Sequence, residues 1–330
     1  MKNKPDDILY CGVDVNKIKS ANPKLRQDML QKYRDYQYKR ADIYYKKEIL
    51  KESAPWTDDV ILQKYSFTNV KRHFDKESKI LLNNTVYNEK CSLKNALLNS
   101  VFIRAFYTRA YILNKLDTGF IDFSNTSSEY MDYLIKTLPE NIGELAYLVS
   151  GCRRAVFWDM KRTDENKVQT FVRFLQKYAD EIAKAYLEAE SPMDVLKCKV
   201  PGLGSKFVSY QILMDLGYHR DFKFSNNEFV FSGPGCSLGI SFICEDRDGL
   251  NDEEFMFWLR DNISSLIDFK PSVFLHFCEE DDKVWSINDI ENSFCEFSKY
   301  IKLERMLKDG TKCRTRYYKG LEENVSISDF

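Results

Sequence analysis

The chain has 330 residues, with 49 lysines and arginines against 50 aspartates and glutamates, which gives a formal net charge of −1. This balance excludes a protein that coats nucleic acid through overall positive charge, so any such binding must come from local patches. Hydrophobic residues make up 44% of the chain, which is enough for the packed core of one large domain or two.

The sequence lacks the usual signals of secretion, membrane insertion and metal binding. Its start, MKNKPDD, is polar and no apolar run reaches membrane-spanning length, so we expect a cytoplasmic protein, in the host cytoplasm if it is viral. The 9 cysteines are scattered without CxxC pairs, and only 3 histidines are present. This pattern predicts reduced thiols, no zinc site and no tightly bound cofactor, although magnesium held through substrate phosphates would leave little trace in sequence.

The first part of the chain predicts an N-terminal helical extension over residues 1–54. Residues 1–22 lack a periodic pattern, whereas residues 23–52 are charged and helical, with many tyrosines. Their lysines and arginines form one of two basic stretches that could contact DNA, and the other is residues 299–319. Charge runs are usually solvated faces, so neither stretch alone indicates a DNA site.

A larger helical domain is predicted over residues 55–320, followed by a tail over residues 321–330. Pro55 starts its first helix, and Ser66 or Thr68 caps the second. This second helix carries three polar residues that we assign to a catalytic site, Asn69, Arg72 and Asp75. The last two are three residues apart on one side of the helix, and a structural ion pair is the commoner use of that arrangement.

Two long helices are predicted in the middle of this domain, over residues 92–117 and 165–190. The first keeps apolar residues at helical spacing, but Arg104 and Arg109 interrupt the apolar pattern. Such arginines either extend to water or line a polar pocket, where the rigid donor fork of arginine favours phosphate. On the second interpretation we assign Arg104 to the catalytic site.

A helix–hairpin–helix pattern follows over residues 191–217. Ser191 caps a short helix, PGLG breaks it, and Gly217 ends a second helix. Glycines let the backbone approach a ligand closely, and the N–H groups at the start of the second helix favour a phosphate. The alternative is a tight turn between helices that binds no ligand. We assign DNA contacts to this region and to a later glycine-rich segment: Gly202, Leu203, Gly204, Lys206, Gly233 and Gly235.

The last part of the domain is predicted to hold a flexible Gly-Pro-Gly turn, a helix over residues 253–267 and a strand-like run over 271–277. A final helix over residues 286–301 is capped by Ser286. It carries two further candidate catalytic residues, Glu296 and Lys299. No GxxxxGK[ST] motif occurs in the sequence, so it holds no P-loop kinase site.

Three separated segments carry a resemblance to a known family. They are PWTDDVILQKYSFTNVKRHFD (55–75), VPGLGSKFVSYQILMDLGY with FSNNEFVFSGPGCSLGI (200–240), and DIENSFCEFSKY with RTRYY (289–318). In this order and spacing they resemble the alpha-glutamyl/putrescinyl thymine pyrophosphorylase family, which are amino acid:DNA transferases of thymidine hypermodification. The helical domain linked to 5-hydroxymethyluridine DNA kinases is a near relative of that family.

The resemblance implies a mostly α, bilobed fold similar to that of helix–hairpin–helix DNA glycosylases, with the site in the cleft between lobes. It implies a phage-type enzyme that replaces the phosphate or pyrophosphate of phosphorylated 5-hydroxymethyluracil in double-stranded DNA with an amino acid or polyamine. Arginines would hold the departing phosphate, Asp75 or Glu296 would act as the base, and Lys299 or Arg316 would bind an amino-acid carboxylate. The target base would be flipped out of the duplex, and a 5-hydroxymethyluridine DNA kinase would act upstream.

One departure from the glycosylase pattern separates the alternatives. The usual glycosylase aspartate falls here near Phe224 to Ser225, so Asp221 or Asp215 would have to replace it. A DNA glycosylase acting on a modified base is therefore the second enzyme hypothesis. The third hypothesis is a non-catalytic DNA-binding partner that delivers a kinase to DNA, which would have no need of the polar residues assigned to catalysis.

Overall fold

The computed structural model describes residues 10–106, 110–138, 166–197, 206–266 and 286–310, and this part of the chain is mostly α-helical. In chain order its helices are α1 (Val15–Ser20), α2 (Gln27–Tyr44), α3 (Val60–Lys64), α4 (Lys76–Asn84), α5 (Leu93–Val101), α6 (Ser128–Thr137), α7 (Lys167–Lys177), α8 (Ala179–Leu187), α9 (Pro192–Lys197), α10 (Lys206–Leu216), α11 (Pro234–Ile243), α12 (Asp252–Leu266) and α13 (Ile287–Lys308). The shorter elements are π-helical turns at Tyr45–Ile49 and Phe102–Phe106, 3-10 helices at Arg72–Phe74 and Ala110–Lys115, and strands β1 (Lys24–Leu25) and β2 (Cys244–Asp246). Within these ranges, no helix has the length and apolar character needed to cross a membrane.

The described residues fall into two compact units. The first contains the chain up to Arg72 and again from Val230 onward, and the second contains His73–Phe229. Residue 54, the predicted end of the N-terminal extension, therefore falls inside the first unit. That unit holds α1–α3, α11–α13 and the short antiparallel pair formed by β1 and β2.

The first unit is built around α13, which packs closely along α11. A Cβ atom built on Gly239 of α11 would lie 2.3 Å from the carbonyl oxygen of Phe294, so only glycine permits this approach. Helix α13 also packs against α2, where the rings of Tyr33 and Phe294 stack with centroids 4.7 Å apart. Most of the α13 side chains from Ile287 to Leu303 are consequently buried.

The Gly-Pro-Gly segment is a helix start, not the flexible turn that its composition predicted. Gly233 is the N-cap residue of α11 and Pro234 is the first helical residue, where the missing N–H of proline removes no helical hydrogen bond. Gly235 lies so close to α13 that an added Cβ would meet the Cys295 sulfur at 2.6 Å. In the structure these residues therefore start and pack a helix.

The second unit is built on α5, in which the side chains from Ala96 to Val101 are buried. The side chain of Asn99 joins α5 to a following loop. Its Nδ2 donates to the carbonyl oxygen of Ile121 at 2.9 Å, and its Oδ1 accepts from the Ile121 N–H at 2.9 Å. Helix α10 packs against α5, as the apolar period of both helices predicted.

Both long helices predicted in the middle of the chain are interrupted. Within residues 92–117, the described elements are α5, capped by Ser92, the π-helical turn at Phe102–Phe106 and the 3-10 helix at Ala110–Lys115. Residues 165–190 form α7 and α8, which meet at Tyr178. Apolar residues stay in phase across this break, and Leu175 and Ile182 are both fully buried. The spacing of apolar residues in the sequence therefore gives no sign of the break between α7 and α8.

Three boundaries nearer the N-terminus also differ from the predictions. The stretch 1–22, expected to be irregular, contains α1. The Asp14 carboxylate accepts hydrogen bonds from the first N–H groups of this helix. Helix α3 begins after Asp59, which caps it, and not at Pro55. The helix expected after Ser66 or Thr68 is replaced by a loop and a 3-10 turn that precede α4.

Candidate functional site

Helix α13 carries a row of buried polar side chains in its N-terminal half. The buried polar members are Asn288, Asp289, Glu291, Asn292 and Ser293. Burying such groups costs free energy unless they form hydrogen bonds, so their partners identify what the row does. The main partners come from residues 66–72, a loop between α3 and α4. We call these α13 residues, with Glu296, Lys299 and the loop, the polar cluster.

The middle of the polar cluster is held by Asn292. Its Nδ2 donates to the carbonyl oxygen of Asn69 at 3.1 Å and to Thr68 Oγ1 at 3.1 Å. The backbone N–H of Thr68 donates to Glu296 Oε2 at 3.0 Å. These bonds fix the loop backbone against one face of α13, where Asn69 itself is buried.

One end of the polar cluster contains Lys299. Its ammonium group donates to the carbonyl oxygen of Ser66 and lies 3.3 Å from Glu296 Oε2. It also lies 4.5 Å from the centroid of the Phe67 ring, within the range of a cation–π contact. The side chains of Lys299 and Glu296 are 18% and 15% exposed, so this end of the cluster keeps some contact with solvent.

The other end of the polar cluster anchors Arg72. Its backbone N–H donates to Asp289 Oδ1 at 2.9 Å, and Asp289 forms a capping box with Ser286 at the start of α13. Lys71 Nζ lies 3.9 Å from Asp289 Oδ2. Arg72 is only 6% exposed, so its backbone and side chain are largely shielded from solvent.

Glu291, which the sequence analysis did not single out, lies in the same cluster and is 3% exposed. Burial raises the pKa of this carboxyl group to about 7, although the charge of Arg72 and the backbone N–H of Gly233 act in the opposite direction. A carboxyl group that titrates near neutral pH is typical of functional sites and also of structural ion-pair networks. In the sequence, Glu291 resembles any exposed helical glutamate, because only the packing of α13 shows its burial.

The structure brings four of the predicted catalytic residues together in the first unit: Asn69, Arg72, Glu296 and Lys299. Asp75 and Arg104 belong to the second unit. Asp75 is the residue before α4 and does not share a helix with Arg72. Arg104 donates from Nε and Nη2 to the Asp215 carboxylate at 2.8 and 2.6 Å. This bidentate pair joins the π-helical turn to α10 within the second unit.

Only the two helices of the predicted DNA-binding hairpin lie within the described residues. Helix α9 begins as expected, with the Ser191 N–H donating to the Asp194 carboxylate at 3.0 Å. Gly202, Leu203 and Gly204 lie outside the described residues, whereas Lys206 is exposed at the start of α10. Gly217 follows α10, and its missing side chain makes room for Asn226, whose Oδ1 would be 2.3 Å from an added Cβ.

Most of the charge in the basic stretch of α2 and its π-helical turn is balanced within the first unit. Arg26 donates to backbone carbonyl oxygens, including those of Ser241 and Cys244. The lysines form ion pairs, Lys32 with Glu304, Lys39 with Asp59 and Lys46 with Asp42. A surface cavity of about 570 Å³ beside this stretch likewise has both lysine and aspartate side chains in its lining. These ion pairs offset part of the positive charge that this face could offer to a phosphate backbone.

Of the two aspartates that could replace the usual glycosylase aspartate, one is paired with an arginine and the other is largely exposed. Asp215 accepts both hydrogen bonds from Arg104. The side chain of Asp221 is 64% exposed and lies 3.7 Å from Arg220 Nε. Within the described residues, no group of three or more histidine, cysteine, aspartate or glutamate side chains is arranged to hold a metal ion.

Comparisons with known proteins identify the family that the chain resembles. A family model described as "5-hmdU DNA kinase, helical domain" matches residues 27–308. A 5-hmdU DNA kinase from Bacillus phage SP10 is 23% identical over 316 residues, which cover 90% of this chain and 47% of the relative. The chain therefore spans about half the length of this curated relative. No solved structure matches the chain.

Proposed function

The chain belongs to the family of the helical domain of 5-hmdU DNA kinases, and we propose that it is a transferase of thymidine hypermodification. Its substrate would be double-stranded DNA in which 5-hydroxymethyluracil carries a phosphate or pyrophosphate. The nitrogen of an amino acid or polyamine attacks the 5-methylene carbon, and the C–O bond breaks. The phosphate or pyrophosphate leaves with the bonding electron pair.

The polar cluster is the observation that carries this proposal. A departing phosphate needs a fixed cation, and Arg72 is an arginine whose backbone is anchored by Asp289. The attacking amine must lose a proton, and Glu296 is the carboxylate of the cluster with partial exposure, at 15% of its side chain. Lys299, beside Glu296, would hold the carboxylate of an amino-acid donor. The same groups also hold the loop 66–72 against α13.

Phosphorylation itself is assigned to another protein segment, because this sequence contains no GxxxxGK[ST] motif. The family match is to a helical domain, and the chain aligns with 47% of the kinase relative. An upstream 5-hydroxymethyluridine DNA kinase would therefore supply the activated base. Magnesium would enter through the substrate phosphates, since no metal-holding group of histidine, cysteine, aspartate or glutamate side chains occurs in the part of the chain that the structure describes.

The same comparison favours a second candidate function, a non-catalytic module that delivers a kinase to DNA. A helical domain that accompanies a kinase activity could bind the duplex without reacting with it. The two candidates differ in one outcome, which is whether the protein alone changes a phosphorylated base. A glycosylase has less support, because Asp215 is engaged by Arg104 and Asp221 is largely exposed.

Nucleoside mass spectrometry would test the transferase directly. DNA carrying 5-phosphomethyl-deoxyuridine, or its pyrophosphate form, is incubated with the protein and a mixture of amino acids and polyamines. We expect a nucleoside that has lost the phosphate and gained the mass of one amine. The same DNA with unphosphorylated 5-hydroxymethyl-deoxyuridine is the control and should not react. Release of a free base would indicate a glycosylase, and tight DNA binding without reaction would indicate the delivery module.

A separate prediction concerns the hairpin. Replacing Gly202 and Gly204 with valine is expected to weaken DNA binding by about tenfold, because added side chains would keep the backbone N–H groups away from phosphates. A gel-shift titration measures the effect, and an unchanged melting temperature would show that the fold is intact. Unchanged DNA affinity in a folded variant would assign the hairpin a structural role only.

A further inference from the structure

We propose that the surface cavity beside α2 is a binding site for an aliphatic ammonium ion of the kind that a polyamine carries. The cavity lies within the first unit, and its volume of about 570 Å³ falls in the range of about 300–1,000 Å³ that is typical of small-molecule sites. Its lining comes from α2, the following π-helical turn, residues 55–58 and α3, and shares no residue with the polar cluster. The proposal stands apart from the transferase, although the amine donor of that reaction belongs to the same chemical class.

The charges around the cavity leave one carboxylate unmatched. Lys46 Nζ lies 2.7 Å from Asp42 Oδ2, and Lys39 Nζ lies 3.2 Å from Asp59 Oδ2, so each lining lysine is matched by a carboxylate of the first unit. Asp58 also lines the cavity and is exposed, and it forms no ion pair with another residue of the part of the chain that the structure describes. The lining and its partners therefore carry an excess of negative charge, which favours a cation over a phosphate.

Aromatic rings supply the second kind of group that attracts an ammonium ion. Trp56 and Tyr38 both line the cavity and are partly exposed. The indole N–H of Trp56 donates to the carbonyl oxygen of Glu52 at 2.8 Å, which holds the ring in one orientation. Lys47 Nζ lies 5.4 Å from the centroid of this ring, within the range of a cation–π contact, so an ammonium group can reach it. A carboxylate beside aromatic rings suits an organic cation, because the charge and the ring faces attract it together.

Hydrogen bonds of the protein itself hold the walls of the cavity. Gln63 Nε2, on α3, donates to the carbonyl oxygen of Thr57 at 2.6 Å. Asp59, which caps α3, accepts a hydrogen bond from the Tyr300 hydroxyl at 2.8 Å, and its side chain is only 7% exposed. The segment that carries Trp56 and Asp58 is thus fixed at its C-terminal end. A site that is already ordered loses less free energy on binding than one that must first be ordered by its ligand.

Calorimetric titration with 1,4-diaminobutane tests the site, and 1,4-butanediol, which has the same carbon chain without the charges, is the control ligand. We expect the wild type to bind the diamine and not the diol. Asp58→Asn and Trp56→Leu should each weaken diamine binding about fivefold, because each removes one of the attractive groups. The matched control is Asp28→Asn, which removes a carboxylate from the exposed first turn of α2 and should bind the diamine like the wild type.

Three results would overturn the site. They are no binding of the diamine at millimolar concentrations, equal affinity for the diol, and equal affinity for the diamine in Asp58→Asn and Asp28→Asn. The last comparison decides even if Trp56→Leu fails to fold, because both aspartates are exposed.

Glycine separates a polyamine from an amino acid as the source of the ammonium group. Its carboxylate would meet the excess negative charge of the cavity, so we expect it to bind more weakly than the diamine. Glycine binding as tight as that of the diamine would contradict the assignment to a polyamine. None of these titrations contains DNA, so their failure and the failure of the transferase assay are separate results.

Discussion

Replacing Arg72 with alanine is expected to abolish turnover in the nucleoside assay, with a loss of about 10²–10³-fold or more, as for other donors that stabilise a developing charge. DNA binding should be retained, because backbone phosphates would be held by the hairpin and not by the polar cluster. The control is Arg34→Ala, which removes a more exposed arginine 3.6 Å from Asp35 and should leave turnover unchanged.

The Arg72 variant should also be less stable, in a way that depends on pH. Removing one member of a buried charge pair costs about 3–5 kcal/mol when the other stays charged. The pKa of Glu291 is already raised in the folded state, and losing Arg72 would raise it further. A carboxyl group with a raised folded-state pKa contributes stability at low pH that is lost as the pH rises. The drop in melting temperature should therefore be larger at about pH 8 than at about pH 6.

A double variant separates lost chemistry from lost folding. Arg72→Ala/Glu291→Gln removes both buried charges, so it should recover most of the stability lost in Arg72→Ala. It should still lack turnover, because no cation remains at that position to hold the departing phosphate. Wild-type turnover in a folded double variant would remove Arg72 from the reaction and leave the polar cluster as a structural network.

The sequence predicted helices well where a cap and an apolar period agreed. The start of α13 at Ser286 is confirmed by its capping box, and the helix after Ser191 is confirmed as well. The π-helical turn after Val101 could not be predicted, since its residues remain apolar and helical in spacing. The prediction of a flexible turn at Gly233 was wrong. Glycine and proline usually indicate a turn, but here they start a helix.

The candidate site was predictable only in part, for a related reason. The sequence pointed to Asn69 and Arg72 as polar residues of one predicted helix, and to Glu296 and Lys299 as polar residues of another. Glu291 gave no such signal, because its burial depends on contacts between segments far apart in sequence. A residue pattern reports one face of one helix, whereas α13 is buried against α2 and α11 together.

Replacing Gly239 with valine is expected to weaken the packing of α11 on α13 and to lower the melting temperature of the first unit. Its Cβ would lie 2.3 Å from the Phe294 carbonyl oxygen, and a backbone atom of a buried helix cannot move aside as a side-chain end can. Overpacking a core typically costs about 1–3 kcal/mol, and a clash with backbone should reach or exceed that range. Replacing glycine within a helix would regain at most about 1 kcal/mol of helix propensity. The free-energy cost of the clash should therefore exceed the gain in helix propensity.

Thermal unfolding followed by circular dichroism would measure this effect, with Ser241→Ala on an exposed position of α11 as the matched control. We expect the control to melt like the wild type, and Gly239→Ala to melt at a temperature between those of the control and Gly239→Val. Because α13 carries Asn292 and Glu296, unfolding of the destabilised variants should also disrupt the polar cluster. A Gly239→Val protein with wild-type stability would show that α11 does not need its close contact with α13, and that the segment tolerates side chains as a flexible turn would.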